Sequence, residues 1–191
     1  MNKFVFFAGL GASLLLASCG GRVLTEEEIA QYTEQGEKIS METFLTLSNN
    51  LQAKMKEGGP VEALSYCNVR AYPLTDSIAE KNNVLIKRTA LKIRNPKNEP
   101  TEQEKDVLNN YQSLLTKGES LSPEIRLNEE EKAVFYAPII LAPNCVKCHG
   151  QPDSEISPEV QQKIKEFYPN DQATGFAAGD LRGIWSITFR D

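Results

Sequence analysis

The motif Cys145-Val146-Lys147-Cys148-His149 constrains this chain more than any other feature of its sequence. Two cysteines separated by two residues can form thioether bonds with the two vinyl groups of a haem, and a histidine directly after them can bind the iron from the proximal side. The motif therefore predicts one covalently attached haem of the c type, around which the polypeptide has to fold. His149 is the only histidine in the chain, which strengthens this interpretation.

Two other kinds of site match parts of the motif. A structural zinc site could use Cys67, Cys145, Cys148 and His149, but the adjacent Cys148 and His149 are awkward tetrahedral ligands, and the usual second ligand pair is missing. A thioredoxin-like redox site needs its cysteines at the start of a helix, whose dipole lowers a thiol pKa. Here Gly150-Gln151-Pro152 breaks the chain directly after the motif. Haem attachment is the interpretation that the spacing favours.

The first nineteen residues have the three regions of a bacterial lipoprotein signal. Lys3 supplies the positive region, Phe4 to Leu16 the apolar region, and Leu16-Ala17-Ser18-Cys19 the cleavage site. We predict that residues 1–18 are removed and that a diacylglycerol on the Cys19 sulfur anchors an exported, periplasmic chain to a membrane. An ordinary secretory signal or a membrane span is the alternative, but the apolar run is shorter than the ~20 residues of a span. No acidic residue directly follows Cys19, which, as in known lipoprotein sorting, favours the outer membrane over the inner one.

Export leaves Cys67 without an obvious role, because exported thiols are usually paired or otherwise occupied. With no second histidine, the distal iron ligand has to be Met41, Met55, Cys67, a lysine, a backbone amine, water or nothing. Cys67 stands out because it lies on the apolar face of a predicted helix and because a thiolate binds iron strongly. A buried cysteine that only fills space is the alternative. We interpret the two methionines as packing residues.

Helices dominate the first half of the sequence and strands gather later, which predicts an α+β fold. Apolar and charged residues make up 40% and 25% of the 191 residues, a balance that suits one domain, placed at residues 25–191 after a tether at 19–24. Capping boxes at Thr25 and Thr101 mark two helix starts. The predicted elements are a helix from residue 25 to Gly58-Gly59, a helix from Pro60 to Pro73, a short helix 74–80, a strand 84–94, a helix 101–118, a strand 133–141 with Pro138 at an edge or bulge, a helix 157–167 and a strand 184–189.

Five segments of the chain resemble the Tll0287-like haem domain family. The family occurs alone in exported proteins and in front of bacterial signalling modules; since no module follows Asp191, we expect this chain to act alone. The resemblance implies a PAS-like antiparallel sheet with flanking helices, and a c-type haem with His149 as the proximal ligand and Cys67 as the distal ligand. The segments that carry it are Ala63-Leu64-Ser65-Tyr66-Cys67, Arg88-Thr89-Ala90-Leu91-Lys92-Ile93-Arg94-Asn95-Pro96, Tyr136-Ala137-Pro138-Ile139, Cys145-Val146-Lys147-Cys148-His149-Gly150 and Gly179-Asp180-Leu181-Arg182-Gly183.

The two propionates of a haem need cationic or hydrogen-bonding partners. Arg88, Arg94 and Arg182 lie on or beside predicted strands, and we predict that they supply these contacts. Tyr66 and Trp185 are predicted as wall residues of the haem pocket. The alternative is that the arginines are solvated and the aromatic rings belong to an ordinary core.

Three classes of function agree with such a site. Electron transfer with other periplasmic redox proteins ranks first, because it needs only a six-coordinate iron. A redox or gas sensor, in which Cys67 is displaced and a partner receives the signal, ranks a close second. An enzyme ranks third, because no acid or base residue beside a vacant iron position is evident. The net charge of −5, with scattered lysines and arginines, argues against nucleic acid as a partner.

Overall fold

A computed structural model describes residues 21–190, so the predicted signal peptide and the lipidation site at Cys19 lie outside the described residues. The fold is α+β, with a long N-terminal helix, one four-stranded antiparallel sheet and flanking helices, which confirms the predicted fold class. The elements are α1 (Glu26–Lys81), β1 (Val84–Thr89), α2 (Glu102–Thr116), β2 (Glu124–Leu127), β3 (Ala133–Ile140), α3 (Val146–His149), α4 (Pro158–Phe167) and β4 (Leu181–Phe189), with short 3₁₀ turns at Pro96–Asn98 and Pro143–Cys145.

Helix α1 is folded back on itself as an antiparallel hairpin. Its backbone leaves helical geometry at Gly58 (φ −146°, ψ 16°) and Gly59 (φ 72°, ψ −165°), and the positive φ of Gly59 suits a residue without a Cβ atom. The Tyr66 hydroxyl donates a hydrogen bond to Asn50 Oδ1 at 2.9 Å across the hairpin. The break predicted at Gly58-Gly59 is confirmed, and it divides α1 into a first arm (residues 26–57) and a second arm (residues 60–81).

The second arm is longer than the sequence pattern indicated. Pro73 does not end the helix, which continues to Lys81. Pro73 removes one backbone hydrogen bond, but Thr75, Ile78 and Ala79 after it are buried. Lys81 also forms an ion pair with Glu42 of the first arm at 2.7 Å. Tertiary packing of this last part therefore outweighs the local effect of the proline.

The sheet has the strand order β1-β4-β3-β2, and every neighbouring pair is antiparallel. Strand β1 ends at Thr89 rather than at Arg94, because the chain beyond it turns away from β4. Strand β2 was not predicted, because Glu124–Leu127 is only four residues long, too short for its alternation of charged and apolar side chains to stand out; it lies at the edge of the sheet. Pro138 lies in β3 beyond the residues that pair with β2, which agrees with the predicted edge position.

The two faces of the sheet bury separate apolar clusters. Against α1 the sheet contributes Phe135, Trp185 and Ile187, and against α2 it contributes Tyr136 and Ile184. Within β4 the register places Trp185 opposite Arg88 of β1 on one side and Ala137 of β3 on the other. Arg88 and Trp185 therefore lie side by side in the sheet, toward the end of β3 that the cysteine motif follows.

Replacing Gly36 with alanine should destabilise the fold, because a Cβ atom there would overlap with the ring of the fully buried Phe135. We expect a loss of about 1–3 kcal/mol in the free energy of unfolding, larger than the ~1 kcal/mol that alanine gains in helix propensity. Urea unfolding followed by circular dichroism measures it. Gln35→Ala at the exposed neighbouring position is the control, and equal stability of the two variants would contradict the predicted overlap.

Candidate functional site

The cysteine motif forms the single turn of α3, which follows directly on β3 and its 3₁₀ turn. Cys145 is the N-cap of α3, and Gly150 ends the helix by donating a hydrogen bond to Val146 O at 2.8 Å. Cys145 and Cys148 are half-buried and three residues apart, so their side chains project from the same side of the turn. Cys145 contacts the cluster of Leu141, Ala173 and Phe176, whereas Cys148 contacts the cluster beside the second arm of α1.

The imidazole of His149 is oriented by the loop before β4. Its Nδ1 lies 2.7 Å from the carbonyl oxygen of Ala173. Because a carbonyl oxygen only accepts, we assign the proton to Nδ1, which leaves Nε2 with a free lone pair on the other side of the ring. The ring of Phe176 stands edge-on, with ring centroids 6.5 Å apart. Burial holds the pKa of His149 well below its ordinary value, and the nearby Arg94 and Arg182 lower it further. The side chain is thus a neutral imidazole whose Nε2 can bind a metal.

Arg94 connects this loop to the motif. Its Nε and Nη2 each donate to a carboxylate oxygen of Asp171 at 3.1 Å, and the two side chains are 12% and 8% exposed. Nη2 also donates to the carbonyl oxygens of Cys148 at 2.6 Å and Ala173 at 3.2 Å. These contacts fix Ala173, and through it His149, relative to Cys148. The Nε and Nη2 atoms of Arg94 are thus already bound to the loop and to the motif. The propionate contact predicted for Arg94 stays a prediction.

Replacing Asp171 with asparagine should lower the free energy of unfolding by about 2–3 kcal/mol, because it leaves the buried guanidinium of Arg94 without a compensating charge. The exposed ion pair of Lys163 and Glu166 on α4 provides a matched control. Glu166→Gln makes the same chemical change at the surface and should cost less than about 1 kcal/mol. Urea unfolding of both variants measures the difference; equal losses would mean that Asp171 does not hold the loop.

Arg182 is the second arginine near His149. Its guanidinium stacks on Phe176 at 5.4 Å, and its Nη1 donates to Lys92 O at 3.2 Å. Its Nε is buried and finds no hydrogen-bond acceptor within residues 21–190. Burial and the neighbouring Arg94 lower the pKa of Arg182 to about 10. A buried donor without a partner is uncommon in a folded protein, so this nitrogen indicates where an additional acceptor is needed.

Arg88 is the third arginine of the site. Its guanidinium lies 5.8 Å from the centre of the Trp185 ring. Burial lowers the pKa of Arg88, and Cys67, Tyr72 and Tyr168 oppose this effect. A cavity of ≈ 200 Å³ opens beside it between α1, β1 and the 3₁₀ turn. The structure therefore brings together the three arginines that the sequence singled out. The cavity is lined by Tyr72, Thr75, Asp76, Ile86, Lys87, Arg88, Lys97 and Asn98.

Cys67 reaches the site from the second arm of α1. Leu64, one turn earlier, packs in the same cluster that Cys148 contacts. Cys67 and Cys148 lie close enough that their charges influence each other. Burial raises the pKa of the Cys67 thiol, and the positive charge of Arg88 opposes this effect. The two segments that carry the predicted axial ligands, far apart in sequence, thus meet in the fold.

Of the other residues considered in the sequence analysis, Trp185 lies at the site, whereas Tyr66 and Met41 have other surroundings. Trp185 lies at the site beside Arg88, while the Tyr66 hydroxyl is bound to Asn50 and its ring lies under Lys54. Met41 is 56% exposed, so the interpretation of this residue as a packing residue is wrong. Asp171, Ala173, Phe176 and Tyr168 were not predicted. They lie in the loop before β4 and at the end of α4, where no local sequence pattern indicates long-range contacts.

The two alternative uses of the motif find little support in this geometry. Among residues 21–190 no group of three or more His, Cys, Asp or Glu side chains is arranged to hold a metal ion, so the ligand cluster of a structural zinc site is missing there. A thioredoxin-like site needs its first cysteine at the start of a helix whose dipole lowers the thiol pKa, whereas α3 is a single turn of four residues that ends at Gly150. In the described part of the chain, no helix has the length and apolar character needed to cross a membrane.

Comparisons with known proteins agree on one family. The Tll0287-like family model matches residues 25–190. The crystal structure of the cyanobacterial heme-protein Tll0287 is similar, with a TM-score of 0.61 and 24% sequence identity over 88% of this chain and 98% of that one. At this identity the similarity establishes a shared fold. No curated protein is significantly similar to this chain.

Proposed function

The chain belongs to the Tll0287-like family, and from this premise we propose that it carries one covalently attached c-type haem. Cys145 and Cys148 would form the thioether bonds and His149 would bind the iron. The observation that carries the proposal is the hydrogen bond of 2.7 Å between His149 Nδ1 and Ala173 O. It leaves Nε2 as the free ligand atom of a neutral imidazole beside two unpaired thiols.

The charges of the site also suit a haem. Arg88, Arg94 and Arg182 lie near His149 and contribute three positive charges, and Asp171 is the carboxylate bound to Arg94. Within residues 21–190 neither Arg88 nor Arg182 forms an ion pair with a carboxylate, and a haem brings two propionate groups. The buried Nε of Arg182 needs an acceptor of this kind. We propose that Arg182 and Arg88 are the main propionate partners and that Arg94 chiefly positions the loop.

We propose Cys67 as the second axial ligand and electron transfer as the function. A bound haem would supply one-electron chemistry at its iron. His149 and Cys67 together would leave no open position for a substrate, which favours electron exchange over catalysis. Residues 142–144 and Lys147 are exposed, so a redox partner could approach the motif from solvent.

We also propose that the protein works outside the cytoplasm. The sequence before residue 21 has the lipoprotein signal described above, and covalent haem attachment through two cysteines accords with export. The anchor would be the acylated Cys19, in the outer membrane rather than the inner one, and the partner would be a periplasmic redox protein.

Absorption and EPR spectra of the holoprotein, produced with haem-maturation machinery, test the proposal. We expect a low-spin ferric signal of thiolate type and no binding of carbon monoxide after reduction. Rapid carbon monoxide binding would mean that Cys67 leaves the iron on reduction, and a redox or gas sensor acting through a partner would then replace electron transfer. Absence of covalent haem would overturn both functions.

A further inference from the structure

The first arm of α1 has an apolar patch on the side that faces away from the sheet. Met41, Phe44 and Leu45 are 56%, 50% and 47% exposed. Ile39 and Thr43 on the opposite side of the same helix are 5% and 0% exposed, since they pack toward the sheet. The patch is therefore not part of the core, and a haem bound near Cys67 would not cover it.

Charged residues flank this patch on the same side of the helix. Glu34 and Glu37 precede it and Lys56 follows it, each at helical spacing from the apolar residues. All three side chains are exposed, and within residues 21–190 none of them forms an ion pair. We call Glu34, Glu37, Met41, Phe44, Leu45, Ser48 and Lys56 the outer stripe. Lys38 lies at the edge of the first end, so the stripe has a net negative charge at one end, is apolar in the middle and is basic at the other end.

Such a stripe is complementary to itself when two copies pack antiparallel. With the two-fold axis at Leu45, Glu34 of one copy lies opposite Lys56 of the other, and the Phe44 rings lie side by side. The segment from Glu34 to Lys56 is about 33 Å long at the rise of an α-helix, enough for a shallow antiparallel helix crossing. The charges thus fix both the orientation and the register.

We propose that the outer stripe is the interface of a homodimer. An anionic membrane surface is a poorer occupant, because Glu26, Glu27, Glu34 and Glu37 on this arm would repel it. One helix face buries less than the ~800 Å² per partner of a standard stable interface. The dimer should therefore dissociate on dilution, while anchoring to one membrane would raise its effective concentration.

Sedimentation equilibrium of the full-length holoprotein in density-matched detergent tests this proposal. We expect the mass of two chains at high concentration. Phe44→Glu should reduce it to one chain, while Leu85→Glu, at a half-exposed residue on β1, should leave the dimer intact. Glu34→Lys and Lys56→Glu should each weaken the dimer at least several-fold, and the double variant should restore it.

Three results would overturn the proposal: a monomer at all concentrations, a dimer that Phe44→Glu leaves unchanged, or charge reversals that do not compensate each other. A monomer that binds vesicles of anionic lipid through Phe44 would show that a membrane covers the stripe instead. The haem spectrum should be the same in all these variants, so failure of the dimer and failure of haem binding are distinguishable.

Discussion

Replacing Cys148 with serine is expected to leave at most one thioether bond, through Cys145, and to lower the amount of haem that is covalently bound to the protein. The hydroxyl of serine does not add to the vinyl group, so this attachment cannot form. Because haem binding and folding are coupled, we also expect a lower melting temperature. Haem staining after denaturing electrophoresis measures attachment.

Cys67→Ser is the matched control for this experiment. It makes the same chemical change at the other cysteine near the site, yet it should keep the full haem stain, because Cys67 lies on α1 outside the attachment motif. A pyridine haemochrome spectrum that still reports two saturated vinyl groups in the Cys148 variant would exclude the proposed attachment. Equal loss in both variants would mean that the stain reports folding rather than thioether chemistry.

Features that depend on neighbouring residues were predicted well from the sequence. The capping boxes of Thr25 with Glu28 and of Thr101 with Glu104 both form, and Gly59 breaks the helix where the Gly-Gly pair indicated. In each case the deciding contacts lie within four residues. The haem attachment proposed for Cys145, Cys148 and His149 is also derived from local spacing, and it stays a prediction.

Features that depend on distant residues could not be predicted in the same way. Pro73 suggested a helix end, but burial of Ile78 and Ala79 carries the helix through it. Strand β2 exists because β3 supplies its hydrogen bonds, not because of its own composition. Asp171 had no local signal, although it holds Arg94 and thereby the loop that orients His149. The sequence thus indicates candidate cofactor contacts more readily than the residues that would position them.

The fold gives a physical reason for the proposed pairing of His149 with Cys67. The Gly58–Gly59 break returns the second arm of α1 along the first, so that Leu64 packs in the cluster that Cys148 contacts, and Cys67 lies one turn further along the arm. Met41 is directed to solvent on the far side of the first arm, which removes it from the possible ligands. Cys67 therefore remains the strongest candidate for the second axial position.

Replacing Cys67 with alanine should convert the iron from low-spin to a five-coordinate or water-bound form and raise its reduction potential. A thiolate stabilises the ferric state through its negative charge, and axial ligands tune haem potentials over a range of ~0.8 V; we expect a rise on the order of 0.1 V. EPR spectra and a potentiometric titration measure the two effects. Ser65→Ala on the same turn of α1 is the control, because its hydroxyl is already bound to Val61 O at 2.9 Å. An unchanged spectrum in the Cys67 variant would exclude this residue as a ligand, while a change in both variants would point to a disturbed helix.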